Sequence, residues 1–328
     1  MSTSSLHNAV IVGDQVIVAK LLAEGAKVDM KRSDNNGMTA LQLAAARGHA
    51  DILTMLLDSG ANVKSIDDNR VSALHYAATS GHQEIVLILL NRGADIQCVD
   101  INRWTALHYA AKGGYAEIVS ILLRRGAEVD SLDNESWTAL QLASKAGQKD
   151  VVTTLILEGA NVNTADKDGA GPLHYAANGG HEVILSLLID GGADVTTIDK
   201  FAVTALHYAA KGGHDKIVTI LIKKGADLKC IDDNSWTALH YASRNGCGEV
   251  VTTLLAGGAD VNSGCSTNAT ALHYAAIGGH VKIVWMLLDS GADVSSVDNN
   301  GMTPLNYAAK CGHEEIAALL QYRTSVLQ

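Results

Sequence analysis

Aromatic rings, prolines and surplus positive charge are all scarce in this chain. Its 328 residues include one Phe, four Trp and two Pro. Hydrophobic residues make up 47% and charged residues 18%, a balance too apolar for a disordered chain. Lys and Arg number 25 against 35 Asp and Glu, a net charge of −10. Nonspecific nucleic-acid binding needs clustered Lys and Arg that displace counterions, so this balance argues against it. No run approaches the ~18 apolar residues of a membrane span. The opening Met1-Ser2-Thr3-Ser4-Ser5 lacks a basic segment followed by an apolar run, so no secretory signal is expected. The five cysteines are odd in number and no Cys-x-x-Cys occurs. Free thiols in a reducing compartment fit that pattern. The compartment expected is the cytoplasm, with the nucleus as the alternative.

Motifs of chemistry are missing as well. The chain contains no HExxH, GxSxG, GxxxxGK or GxGxxG. Cys247 and Cys311 have His240 and His313 nearby in sequence, but no nucleophile–base–orienter set emerges. A protein without catalytic activity and without cofactor or metal is the expectation.

What the chain has in abundance is self-similarity. An Ala-Leu-His tripeptide or a near variant recurs with Leu41, Leu74, Leu107, Leu140, Leu173, Leu206, Leu239, Leu272 and Leu305, each step being 33 residues. A Gly-Ala pair recurs in the same step from Gly60 to Gly291. Such a period marks stacked supersecondary units. Nine units run in register from 34 to 328, and residues 5–33 form a degenerate tenth. The unit at 199–231 is representative. Asp199 to Val203 fits a turn. Thr204 is a good N-cap for a short helix through Ala210, and Gly212-Gly213 stops it. Ile217, Val218, Leu221 and Ile222 give a second helix one apolar side, and Gly225 ends it. Each unit therefore reads as helix–turn–helix plus an extended loop.

Thr204-Ala205-Leu206-His207-Tyr208-Ala209-Ala210, Gly213-His214 and Gly225-Ala226-Asp227 resemble the ankyrin repeat, and the resemblance runs through essentially the whole chain. It implies an all-α, ankyrin-type helix-turn-helix solenoid with projecting hairpin loops. A single solenoid over 5–328 is expected. Residues 5–33 would be its N-terminal cap, 34–297 its eight internal repeats and 298–328 its C-terminal cap, with a short tail at 324–328. Terminal repeats need one polar face, and both ends carry polar residues. Some positions depart from the family pattern. The usual loop Gly survives at Gly37, Gly169 and Gly301, while Arg70, Arg103, Ser136, Ala202, Ser235 and Asn268 replace it, which puts the hairpin geometry there in question. Gly171 replaces a cap Thr and Cys265 an opening Asp, so those two repeats are expected to be softer.

Twelve of the 13 histidines fall at two repeat positions, one after the Leu (His75 to His273) and one after the Gly (His49 to His313). Equivalent residues in stacked repeats stand about 10 Å apart, too far to share a metal ion. The resemblance implies that the first set ties helix to hairpin, and Gln42, Gln141 and Asn306 fill the same slot. A tyrosine ladder beside it, interrupted by Leu43 and Leu142, reads as packing.

Function is sought in the positions the period leaves free. Just before the cap residue lie Met38, Val71, Trp104, Trp137, Ala170, Val203, Trp236, Ala269 and Met302. A slot that accepts Ala does not need Trp for packing, so Trp104, Trp137 and Trp236 are candidate binding residues. Phe201, also on a hairpin tip, joins them. Trp285 falls in a second helix and reads as packing. At the end of the first helix lie Arg47, Lys112, Lys145, Lys211, Arg244 and Lys310, with no acid in either slot. These bases either complement the helix dipole or form a stripe facing an acidic partner. Hairpin tips opposite carry Asp68, Glu135, Asp168 and Asp233. In ankyrin repeats the hairpin tips and first helices line a concave partner-binding face, which implies a protein-interaction scaffold using Trp104, Lys112, Trp137, Lys145, Phe201, Lys211, Trp236 and Arg244. The competing readings are an enzyme or small-molecule binder using the groove as a pocket, and a structural spacer. A deep cavity of several hundred Å³ lined by convergent polar groups would favour the former. A 99-residue echo, Ser136-Trp137-Thr138 returning as Ser235-Trp236-Thr237, suggests duplicated three-repeat blocks and two similar patches.

Overall fold

A computed structural model describes residues 4–33 and 36–326. The expected start of the second repeat, Asp34-Asn35, lies outside the described residues, as do the last two residues of the expected tail. Twenty α-helices follow one another in ten pairs, and β structure among the described residues is confined to isolated bridges such as Ile66 with Ser72. The chain divides into two compact units, Met1–Thr164 and Ala165–Gln328, each holding five helix pairs. Within each unit the first helix of a pair packs on the first helix of the next, and the second on the second. This is the ankyrin-type, all-helical repeat architecture that the 33-residue period implies.

The repeat at 199–231 shows why these residues fold this way. Thr204 has extended backbone, and its hydroxyl accepts the His207 amide, which starts the helix Ala205–Gly212. Gly213 ends it at φ 75°, a left-handed conformation that favours glycine. The second helix, Asp215–Lys223, buries Ile217, Val218 and Leu221 completely. Alanines at 205, 209 and 210 have no exposed surface, so the helices meet closely there.

The hairpins hold their geometry without glycine. Arg70, Arg103, Ser136, Ala202, Ser235 and Asn268 all adopt φ between 58° and 63°, close to Gly37, Gly169 and Gly301 at 70° to 78°. Except in the repeat of Asn268, which opens with Cys265, an opening aspartate enforces this. Asp67 Oδ1 accepts the amides of Asn69 and Val71, 2.9 and 2.8 Å away, and so clamps Arg70 between them. Asp100, Asp133, Asp166, Asp199, Asp232 and Asp298 repeat the clamp. The expected tail is also revised. The last helix spans Glu314–Val326, so Thr324 to Val326 are helical.

Candidate functional site

The first helices of the second to ninth repeats each place a buried side chain between their own cap and the following hairpin. His108 Nδ1 faces the Thr105 amide at 3.1 Å and the Thr105 hydroxyl at 2.8 Å. Two donors on Nδ1 leave the proton on Nε2, which donates to the Trp137 carbonyl at 3.2 Å. His75, His207, His240 and His273 make the same bridge, while His174, with no cap hydroxyl because Gly171 stands there, reaches the Thr197 carbonyl at 3.1 Å. Burial, the dominant cause, holds all six below the ordinary imidazole value, to about 4 for His240. Gln42 reproduces the bridge with an amide. Its Oε1 accepts the Thr39 amide at 2.7 Å and its Nε2 donates to the Val71 carbonyl at 2.8 Å. The second histidine set stacks against a glycine one repeat earlier. There His214, His280 and His313 bond the carbonyls of Asn178, Arg244 and Ile277. Where Cys247 takes that place, Asn245 Nδ2 reaches the Lys211 carbonyl instead, at 2.8 Å. Both sets therefore tie repeat to repeat, and no group of His, Cys, Asp or Glu among the described residues is arranged to hold a metal.

The tyrosine ladder completes the hairpin clamp. Tyr109 Oη donates to Asp100 Oδ2 at 2.7 Å, and Tyr76, Tyr208, Tyr241 and Tyr307 do likewise with their own aspartates. Burial first, then the carboxylate, pushes the phenols of Tyr76, Tyr109, Tyr208 and Tyr241 far above their ordinary value. Cys265 enters this clamp in place of aspartate. Its Sγ lies 3.1 Å from Thr267 Oγ1 and 3.4 Å from Tyr274 Oη. Burial opposes ionisation of the thiol. Hydrogen bonds from those hydroxyls and from the Thr267 and Ala269 amides outweigh it and bring the thiol below its ordinary value.

Three hairpin indoles and three helix-end bases meet in pairs. Lys112 Nζ stands 5.2 Å from the Trp104 ring centre, Lys145 Nζ 4.7 Å from that of Trp137, and the Arg244 guanidinium 5.4 Å from that of Trp236. Each pair is separated by eight residues, and every hairpin Trp has its base. Repeats with Val71, Ala170 or Ala269 in the hairpin slot carry Thr79, Asn178 or Ile277 instead. The bases thus lean back over an indole face as cation–π partners, rather than over the last helical carbonyls. The rings are half-buried. Trp104 lies against Tyr109 and His108, with centroids at 5.0 and 6.1 Å, and Trp236 against Tyr241 and His240 at 5.0 and 6.0 Å.

Other candidates stand apart from these pairs. Lys211 shares its repeat with Val203 and has no indole to cover. Phe201 is 53% exposed on its hairpin tip, beneath Lys200 at 4.9 Å. Trp285, expected to pack, is 44% exposed on a second helix and carries the Arg323 guanidinium 5.1 Å from its ring. Among the opposed acids, Asp68 pairs with Lys31 at 3.4 Å and Asp168 with Lys200.

Two cavities open on the indoles. One, of about 460 Å³ and mostly apolar, lies among Trp104, Lys112, Asp133, Trp137, Leu142 and Lys145. The other, about 350 Å³, is lined by Trp236, Arg244, Cys265 and Tyr274. Leu142, Asp133 and Tyr274 were not among the candidates from sequence. The available signal was Leu142 interrupting the tyrosine ladder, which reads as simple packing until the space it vacates is seen beside two indoles.

A search of the curated proteins finds no match to this chain. A family model described as ankyrin repeats (3 copies) matches residues 6–100, 96–166, 147–232, 173–265 and 254–327. Repeats of this kind are generally protein–protein interaction modules. With the period, the paired helices and the clamped hairpins in place, that match shows that the chain belongs to the ankyrin-repeat family.

Proposed function

We propose that the chain is a non-enzymatic interaction scaffold, and that the face made by its hairpins and first-helix ends docks an acidic segment of a protein partner. One observation carries the reading. Arg47, Lys112, Lys211, Arg244 and Lys310 are exposed, yet none has a carboxylate within 4.0 Å among the described residues. Arg124, Lys149, Lys223 and Lys282 on second helices share that state but stand over no indole, and three other bases near those helices are neutralised. Arg92, Lys224 and Arg323 each pair with an aspartate one repeat earlier, Asp58, Asp190 and Asp289, at 2.7, 3.2 and 2.8 Å. On a chain of net charge −10, unneutralised bases set beside indoles make a surface complementary to carboxylates. Indoles and arginine are also the side chains that most often dominate protein interfaces. The reading includes a reducing setting inside the cell, in keeping with the five free thiols.

The test is a comparison of captured partners. Lys112→Glu, Lys145→Glu, Lys211→Glu and Arg244→Glu together should release the partner that the wild-type chain holds. Lys149→Glu with Lys282→Glu, on second helices, should not. Circular dichroism checks that both variants stay helical. Equal capture by both variants would defeat the docking face.

A further inference from the structure

One residue separates the larger, more apolar cavity beside Trp104 from the smaller, more polar one beside Trp236. In seven repeats a tyrosine ring fills the ladder slot, and in repeat 133–165 that slot holds Leu142, which is 8% exposed. Trp236 shows what a ring does there. Tyr274, one repeat on, brings its ring centroid to 4.3 Å from the indole. Trp104 meets no such ring one repeat on. The space left between Trp104 and Trp137 is about 460 Å³, within the usual range of sites that enclose a ligand group.

Missing tyrosine also frees the second oxygen of the hairpin carboxylate. Asp133 Oδ2 accepts Trp104 Nε1–H at 2.8 Å, while Oδ1 accepts the Glu135 and Trp137 amides at 2.8 Å each. Trp104 is therefore fixed from three sides, by Asp133, Tyr109 and His108. A rigid indole wall loses little freedom when a guest arrives, which favours tight binding.

The charges select the guest. An aromatic-lined site with cations missing would suit a quaternary ammonium. Here Lys112 and Lys145 already stand over the two indoles, so a cationic guest meets an ammonium at each ring. Two acids also line the cavity, but Asp133 already accepts three N–H groups and Glu135 is engaged as well, so neither is free to receive a cation. Lys112, with no carboxylate within 4.0 Å among the described residues, gains one from an anionic guest. The apolar floor of Leu142 and Ala146 calls for an apolar group beside that anion.

We propose that the Trp104–Trp137 cavity is a socket for one aromatic side chain of a protein segment, with a glutamate or aspartate next to it seated on Lys112. This rests on the docking-face reading and adds to it a defined anchor. The probe is an acetylated peptide, Glu-Glu-Phe-Glu-Glu, compared with the same peptide bearing alanine at its centre or lysines at its flanks. Binding to the full chain is measured by anisotropy, and the four indole N–H resonances are followed by NMR. The phenylalanine peptide should bind about tenfold more tightly than the alanine peptide. It should move the Trp104 and Trp137 signals and leave Trp285 in place, and the lysine-flanked peptide should not bind. Leu142→Tyr restores the ring found elsewhere in the ladder and should abolish the phenylalanine advantage. Ala146→Phe, at an exposed position on the floor, blocks the same space should the first variant lose its fold. The socket is overturned if phenylalanine and alanine peptides bind equally, or if both blocking variants keep the phenylalanine advantage. Loss of all acidic-peptide binding on Lys112→Glu with Lys145→Glu would still uphold the docking face in that event. Indifference to that charge reversal would instead defeat the docking face itself.

Discussion

Trp104 in the first unit and Trp236 in the second are the same residue built twice. Each stands 5.0 Å from its own tyrosine, stacks near its own histidine and is covered by its own base. Apart from lysine over one ring and arginine over the other, they differ one repeat further on. Trp104 meets Asp133 and Leu142, whereas Trp236 meets Cys265 and Tyr274. The first arrangement leaves an apolar cavity and a fixed indole N–H. The second narrows the space, to about 350 Å³, with a phenol whose hydroxyl is turned to a sulfur, and Tyr274 is held up at about 12, burial being the main cause. In this stacked fold the space beside an indole is thus shaped by the residue behind it as well as by the indole itself.

The two units also differ in how they should respond to acid, and this is the largest effect expected. The slot between cap and hairpin holds His75 and His108 in the first unit, alongside Gln42 and Gln141. In the second it holds His174, His207, His240 and His273, alongside Asn306. All six histidines have values lowered by burial in the folded state. The unfolded chain then binds more protons than the folded one below the ordinary value of 6.5. Their contribution is intact above 6.5 and is lost as pH falls toward the folded values. For His240, from 6.5 to about 4, the loss by pH 5 is about 2 kcal/mol. With twice as many such groups, the second unit should open first. Hydrogen exchange at pH 7 and pH 5, corrected for intrinsic rates, should show protection falling more in helices Ala205–Gly212 and Ala238–Arg244 than in Ala73–Ser80. Replacing all four histidines of the second unit with glutamine should flatten its acid response. Equal loss in both units, or an unchanged profile in that variant, would refute the account.

Transplanting the cavity should come next in size. Tyr274→Leu with Cys265→Asp recreates behind Trp236 what Asp133 and Leu142 provide behind Trp104. The new carboxylate can accept the Trp236 indole N–H, and the ring at 4.3 Å is gone. An acidic phenylalanine peptide should then shift the Trp236 resonance and bind there about tenfold better than before. An unmoved Trp236 signal would mean that the residue behind the indole does not decide the slot. Cys265→Asp alone should act on stability instead. A carboxylate takes the Thr267 and Ala269 amides and the Tyr274 hydroxyl more strongly than a thiol does, which adds about 1 kcal/mol. A urea midpoint that falls or stays put would contradict the clamp.

Much of this comparison was open to a reader of the sequence alone, because a period exposes whatever breaks it. Leu142, Cys265, Gly171 and the hairpin tryptophans all stand out as exceptions. Helix ends were legible through Thr204 and Gly213, whose roles depend on local backbone only. Pairings across the period were harder. Lys112 over Trp104 needs the helix to turn its seventh residue back to the hairpin, and a list of residue types does not carry that direction. Loop geometry was harder still. Arg70 and Ser136 look wrong for a left-handed turn until the aspartate three residues earlier is seen holding the amides on either side. Trp285 failed for another reason. Its place in a second helix reads as packing, but the ring is exposed with Arg323 across it.

The smallest effect tests whether the twin hairpins are strained equally. Ser136 and Ser235 hold φ at 62° and 58°, where a Cβ costs about 1–2 kcal/mol. Glycine avoids that cost but loses about 0.5–1 kcal/mol through its freer unfolded state. Ser136→Gly and Ser235→Gly should therefore each stabilise the chain by about 0.5–1 kcal/mol. The gain should be alike in the two units, because Asp133 and Asp232 clamp the two loops through amide bonds of 2.8 to 2.9 Å. Thermal unfolding of the two variants side by side reads the gain. A rise for one and a fall for the other would show that the clamp, matched in bond length, does not set the strain. The difference would then have to come from the ladder residue of the adjoining helix, Leu142 in one unit and Tyr241 in the other.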